Sequence, residues 1–438
     1  MSHSLDPPAA IDWLIAHGRT LLQSTGEVQQ ARWKRDLAAW QCELLRRQIG
    51  YRWRSRHRFP QPDLWLWTDT SLAQASDHWS AQFKAGLFPA GEFVVDACCG
   101  AGADLVALAG RGDVLGIDAD PALAALAQDN ARTHGLDVAV HVARLSDQLP
   151  SPWASNTSWL SIDPDRRPDG QRTTDAQAFS PALDQVLHMS RQCRGSVIKL
   201  APSTRTDEQL TAALDATCSR MWLGSQGECR QLLLLSGELR YLDPRQLALH
   251  SDGQRPQIST DHVGQVTPLR SAVLCEPGDA AQGFAGINHV YQAEVSKCAD
   301  LLPSQMDIGR YVYDLHPTLH AADLQRVWSS EHGLRPISEA HGYYSSDALV
   351  QSPWAQAFEQ IAVLAWDDRK IRQWLRGFGA GQVEVKVRGV HPIKLHIDAN
   401  ACQKRYSRAD GEPIALLVTR IGDRLRGIAA RRSPTRER

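Results

Sequence analysis

One stretch constrains the fold more than any other: Phe93-Val-Val-Asp-Ala97, then Cys98-Cys99-Gly100-Ala-Gly102, then Ala103-Asp-Leu-Val-Ala-Leu-Ala109. A short apolar run meets a glycine-rich turn and then an amphipathic segment, which predicts a buried strand over 93–97 running directly into a helix. From there apolar runs alternate with helical patterns, giving strands at 113–118, 138–143, 158–163, 195–201 and 229–237. Helices fall at 121–135, 182–192 and about 208–218. Strands alternating with helices predict an α/β fold with a doubly wound, Rossmann-like parallel sheet. A barrel is disfavoured, because the glycine-rich turn follows the first strand alone.

The flanking regions differ. Residues 8–49 carry apolar positions at helical spacing, predicting an N-terminal helical region over 1–60 that ends at the tract RHRFPQPD. Trp65 and Trp67 predict a short extended piece before a helix capped near Thr70. Residues 242–268 are polar and aperiodic, and 270–275 predicts a last strand of a domain spanning 61–280. Strand-like runs at 383–390 and 414–422 predict a separate, smaller α/β domain over 300–438.

Three motifs carry chemistry. In the first, Gly100 and Gly102 allow a tight turn and close approach to a ligand. Asp96 and Asp104 flank this turn, and carboxylates there repel a pyrophosphate but suit a cation. The sulfonium and amino groups of S-adenosylmethionine fit that pattern better than a nicotinamide dinucleotide, with Cys98 in the same turn. The second is Asp118 with Ala119, closing the next strand. An N-cap is open to Asp118 or Asp120, but the strand-end position assigns Asp118 to accept both ribose hydroxyls and leaves the cap to Asp120. The third is Asp163-Pro164-Asp165-Arg166-Arg167 at the end of the fourth strand, where this architecture places its cleft. Asp163 would orient or deprotonate a nucleophile, and Arg166 and Arg167 would position a phosphate or base. Lys199, at another strand end, faces the same edge and would help to bind the substrate, although a lone lysine there is more often solvated.

Composition narrows the partners. The net charge is −1, so the chain as a whole has no strong pull on nucleic acid. Locally, six arginines lie between Arg46 and Arg58 among Tyr51, Trp53 and His57, and the tail from Arg424 to Arg438 is arginine-rich. Such mixtures hold phosphates while rings stack on bases, or they are helix ends with their aromatics buried. No apolar run approaches the ~20 residues of a membrane span, and no secretory leader opens the sequence, so a cytoplasmic protein with no membrane partner is expected. Nine cysteines without a CxxC pair suggest neither a metal cluster nor a disulfide framework.

Together, LWTDTSLAQAS, VVDACCGAGADLVALA, GIDADP, SIDPDRR and VIKLAP resemble the bacterial class I methyltransferases that end in a THUMP-like domain. More distantly they are similar to the RNA cap guanine-N2 methyltransferases. The resemblance extends to RYVYDLHPT and VEVKVRGV and covers residues from about 60 to 430. It implies S-adenosylmethionine as cofactor, contacts from Asp96, Gly100, Gly102 and Asp118, a catalytic loop at 163–167, and RNA as partner. It also implies that Gln74 or Ser76 folds over the cofactor. Ala103 stands where many relatives have a second glycine. Arg144 stands where an aspartate holds the adenine amine, unless Asp147 takes that role. Methylation of a small molecule or protein, or an RNA-binding protein without turnover, are the alternatives.

Overall fold

The computed structural model describes residues 8–146, 149, 158–166, 173–243, 269–277, 287–294, 307–338, 342–390 and 397–434. The chain divides into two compact units. The first comprises Met1–Gln226 and Arg230–Tyr291, and the second Gly227–Cys229 and Gln292–Arg438. The N-terminal helical region is therefore part of the first unit.

The first unit is built on nine strands: β1 (Val94–Ala97), β2 (Val114–Asp118), β3 (Ala139–Val142), β4 (Trp159–Ile162), β5 (Gly195–Leu200), β6 (Ser219–Ser225), β7 (Glu228–Gly237), β8 (Leu269–Glu276) and β9 (Ile287–Glu294). Their order is β3-β2-β1-β4-β5-β7-β6-β8-β9, with β1 to β5 parallel and β7 antiparallel to β5. Central strands such as Val94, Val95, Ala97 and Trp159, Leu160, Ile162 are buried throughout, as expected where helices cover both faces. The chain runs outward from β1 to β3 on one side and from β4 to β5 on the other. This reversal opens a crevice at the carboxyl ends of β1 and β4.

Sequence patterning does not anticipate β6 or β9. The segment SRMWLGS lacks a clean alternation, and it joins β7 through Gln226 and Gly227, both at positive φ (53° and 78°). That is the geometry of a tight hairpin turn, but Gln-Gly announces it less clearly than Asn-Gly does.

The N-terminal helices, including Glu27–Asp36 and Ala39–Ser55, pack Ile11, Leu14, Leu22, Trp33 and Leu45 against Leu66 and Leu126. Buried polar side chains fix this arrangement. Gln48 both donates to Trp67 O (2.7 Å) and accepts from Trp67 N (3.1 Å). Asn130, fully buried, accepts from Leu66 N (2.9 Å) and from Arg19 (2.9 Å), and donates to Leu66 O (3.1 Å) and Ala101 O (2.9 Å). Asn130→Ala leaves several buried groups without partners. It is expected to cost ~2–4 kcal/mol in guanidinium unfolding at unchanged m-value. A loss under about 1 kcal/mol would remove Asn130 as the clamp.

The second unit holds β10 (Tyr311–Leu315), β11 (Arg335–Pro336), β12 (Tyr344–Ser346), β13 (Ala355–Ala365), β14 (Ala380–Val387), β15 (Glu412–Ile421) and β16 (Arg424–Arg432). Their order is β11-β12-β10-β13-β16-β15-β14, and among the described residues only the β14–β15 pair is parallel, its crossover carrying helix Ala399–Tyr406. The arginine-rich tail is corrected here. Up to Arg432 it forms β16, with Ile428, Ala429 and Ala430 buried, and its last arginines pair with Glu412 and Glu384. A continuous run of small and apolar residues, Gly427 to Ala430, makes a buried strand inside the arginine-rich segment. Among the described residues, no helix is long and apolar enough to cross a membrane.

Candidate active site

The crevice is organised by the turn after β1. Cys98, Gly100 and Gly102 all have positive φ (58°, 57° and 88°), and Gly102 caps the helix Ala103–Ala109. Gly102 is required twice over. Besides its φ, a Cβ there would lie 3.1 Å from Ala127 Cα, on the helix Pro121–Thr133 packed against it. A Cβ on Gly100 would meet nothing within 4 Å, so the chain leaves open space beside that residue.

At the end of β2 the two aspartates are held differently. Asp120 accepts from Ala122 N (2.8 Å) and caps the helix. Asp118 accepts from Gly100 N (2.8 Å) through one oxygen and from Asp120 N (2.9 Å) through the other. Each oxygen keeps further accepting capacity. Burial raises the Asp118 pKa above its ordinary value. Ala119 beside it is exposed.

The flanking carboxylates are not equivalent. Asp104 forms an ion pair with Lys84 (2.5 Å) and accepts from Ser76 Oγ (3.0 Å), while Gln231 donates to the same hydroxyl (3.2 Å). Burial opposes ionisation of Asp104, but Lys84 and then Lys199 outweigh it and hold its pKa below the ordinary value. Asp96, 3% exposed, accepts only from Ser161 Oγ (2.8 Å), and its other oxygen has no hydrogen-bond partner among the described residues. Burial, reinforced by the charge of Asp104, pushes Asp96 up to about 8. One carboxylate is thus already neutralised, and the other is a buried acid whose charged form lacks a cation.

Across the crevice, Asp163 follows β4 with its N–H on Ala97 O (3.2 Å) and its carboxylate in an ion pair with Lys199. Lys199 is not a solvated strand end: it is 9% exposed, and its Nζ also reaches Gln74 O (3.5 Å). Burial lowers the Lys199 pKa, but Asp163 and then Asp104 outweigh it, so its pKa lies above the ordinary value. Asp165 exchanges two backbone hydrogen bonds with Ser180 (2.9 Å each) and accepts from Gln74 Nε2 (3.4 Å). The helix Asp69–Gln74, capped by Thr68, thereby touches the loop with the residue the sequence singled out. Pro164 is buried and Arg166 half-buried, while Arg167 and Asp147 lie outside the described residues. Arg144 is exposed just past β3.

The structure therefore gathers Asp96, Cys98, Gly100, Gly102 and Asp118 around one turn, and Asp163, Asp165, Lys199 and Gln74 around one loop. Lys84, Ser161 and Gln231 escape sequence reasoning, because only their partners in the fold distinguish them from ordinary polar residues. The arginines at 46–58 are mostly structural. Arg52 donates to Leu22 O and Asp63 O (2.9 and 3.1 Å), and Arg58 donates to Leu72 O (2.7 Å) and Ala75 O. Tyr51 is buried. Trp53, 65% exposed with the Arg56 guanidinium 3.3 Å from its ring centroid, keeps the character of a stacking platform.

Comparison with known proteins bears on the fold and the cofactor. Residues 94–163 match a methyltransferase domain, and residues 355–432 match a THUMP domain-like family. Two uncharacterized S-adenosylmethionine-dependent methyltransferases of Mycobacterium tuberculosis are each 27% identical over 359 residues, covering 82% of this chain and 85% of the relative. The crystal structure of a candidate methyltransferase from Porphyromonas gingivalis W83 superposes with a TM-score of 0.64 at 17% identity. It covers 97% of this chain and 98% of that one, a likeness of fold.

Proposed function

We propose that this S-adenosylmethionine-dependent methyltransferase, a class I domain joined to a THUMP-like domain, methylates a base nitrogen of RNA. The observation that carries the reading is the Asp163–Lys199 ion pair at the end of β4, across the crevice from the glycine turn. The cofactor suits the turn: Asp96 has a buried carboxyl oxygen without a partner, Gly100 faces open space, and Asp118 has accepting capacity to spare. Asp96, Gly100, Gly102 and Asp118 would hold the cofactor. Bound there, it supplies a methyl group already activated by the sulfonium.

The rest falls to the protein. Asp163 accepts a hydrogen bond from the target amino group, aligning its lone pair, and takes the proton that nitrogen loses as it is alkylated. Lys199 pairs with Asp163 and fixes its position. Gln74 holds Asp165, and with it the loop. Residues 163–166 include no aromatic ring to stack on the base, so the Arg166 guanidinium serves as the stacking plane. Support for RNA comes from the THUMP-like match and from the exposed Trp53–Arg56 pair.

Two measurements test the reading. In calorimetry, Asp118→Ala is expected to weaken S-adenosylmethionine binding by at least about 10–100-fold, the worth of a single hydrogen bond to a charged acceptor. Unchanged affinity overturns the placement of the cofactor. Mass spectrometry of RNA nucleosides from cells with and without the gene should reveal one methylated nucleoside that disappears. Identical profiles overturn the RNA reading.

A further inference from the structure

Within the second unit, the helix Asp368–Phe378 and the helix Ala399–Tyr406 with the turn after it enclose a cavity of about 380 Å³. Its lining is Arg372, Leu375, Arg376, Arg405, Tyr406 and Arg408, four guanidiniums and no carboxylate. Most ligand pockets are largely apolar, so this composition is selective. The floor is rigid: Leu375 is 3% and Tyr406 5% exposed, both in the unit's core. The backbone of Arg408 is held by its N–H on Gly381 O (2.9 Å).

The charge of the cavity is largely uncompensated. Asp368 alone answers it, pairing with Arg372 (2.5 Å) and Arg405 (3.2 Å) and accepting from Tyr406 Oη (3.0 Å). Arg376 and Arg408 are exposed, and their side chains make no hydrogen bond or ion pair among the described residues. Holding four like charges around one hollow is unfavourable unless an anion completes it. Folding alone does not require Arg376 and Arg408 to be there.

The form of the cavity indicates the kind of anion. Arg372 and Arg376 stand one helical turn apart, about 6 Å along the axis, a spacing that suits successive phosphates on one strand. No ring is free to stack, since Tyr406 is buried with its hydroxyl on Asp368. A site of this kind registers backbone charge and does not read bases. We propose that this four-arginine cavity binds consecutive backbone phosphates of RNA, giving the second unit a sequence-independent grip on the substrate. The proposal rests on RNA being the substrate.

The test uses the full chain and labelled bulk transfer RNA, with binding followed by fluorescence anisotropy between about 50 and 200 mM salt. Arg376→Ala/Arg408→Ala is expected to weaken RNA binding at least about tenfold at the lower salt. It should also reduce the slope of log K against log salt by about 1.4–1.8, each lost phosphate contact contributing about 0.7–0.9. Affinity for S-adenosylmethionine should not change, and Arg376→Lys/Arg408→Lys should keep most of the binding. If the alanine variant binds RNA with the wild-type affinity and slope, the cavity is not the phosphate site, although the RNA reading survives. The same holds if pyrophosphate binding alone is lost. If wild-type protein binds no RNA, both fall.

Discussion

Replacing Asp163 with alanine is expected to lower the rate of methyl transfer by about 10²–10⁴-fold, the range spanned by a positioned general base. S-adenosylmethionine affinity should stay within about threefold of wild type, because the cofactor is held on the other side of the crevice. The assay substrate is RNA from cells lacking the gene, which carries the unmethylated site. Asp163→Asn keeps an accepting oxygen but cannot take a proton, so it separates alignment from proton removal. If alignment dominates, the asparagine variant retains much more activity than the alanine variant; if proton removal dominates, the two are alike. Lys199→Met should fall between wild type and Asp163→Ala, since it leaves the carboxylate in place but removes its buried counter-ion. Turnover by Asp163→Ala within about threefold of wild type would show that the loop after β4 does not carry the chemistry.

The strands that build the crevice were legible because each is a short, mostly apolar run between turn residues. FVVDA, SWLSID and GSVIKLA become β1, β4 and β5, and the glycine turn lies where the pattern changes from strand to helix. The sequence was silent where chemistry depends on pairing across large separations. Nothing local marks Lys84 as the partner of Asp104, nor Asn130 as the clamp on Leu66 and Ala101. The sequence places Lys199 at the cleft edge beside the substrate, but its burial was not legible, because a strand end is exposed unless something covers it. Here Asp163 and the carbonyl of Gln74 cover it. In the second unit, RYVYDLHPT and VEVKVRGV were each recognisable, but not their meeting. Asp314 of the first segment is buried between Lys386 (2.8 Å) and Arg388 (3.0 Å) of the second. Burial alone would raise Asp314, but Arg388 and then Lys386 outweigh it and hold the carboxylate ionised. This is a structural role that a motif comparison does not disclose.

Asp96 gives the other large effect, and its sign is unusual for an aspartate. With its pKa pushed from 3.8 up to about 8 by burial and the nearby charge of Asp104, the folded chain holds a proton there that the unfolded chain releases. Between about pH 4 and 8 the folded state therefore binds more protons at this site than the unfolded state does. The contribution of Asp96 to stability falls across that window and levels off above it. The scale is several kcal/mol. Asp96→Asn removes the titration. In the absence of cofactor, the variant should be more stable than wild type at pH 8 and no more stable at pH 4, measured as the difference between the two proteins in urea unfolding. A cation docked against the unpartnered oxygen of Asp96 reverses the balance, favouring the carboxylate and expelling its proton. Wild-type binding of S-adenosylmethionine near pH 7 should accordingly release close to one more proton than binding by Asp96→Asn, read from the dependence of calorimetric enthalpy on buffer ionisation heat. The comparison between proteins cancels titration of the ligand's own amino group, which has an ordinary pKa of about 7.7–8.0. The same substitution would then stabilise the free protein and weaken its hold on the cofactor, an opposition that a purely structural aspartate does not produce. Equal proton release by the two proteins would place the ligand's positive charge away from Asp96.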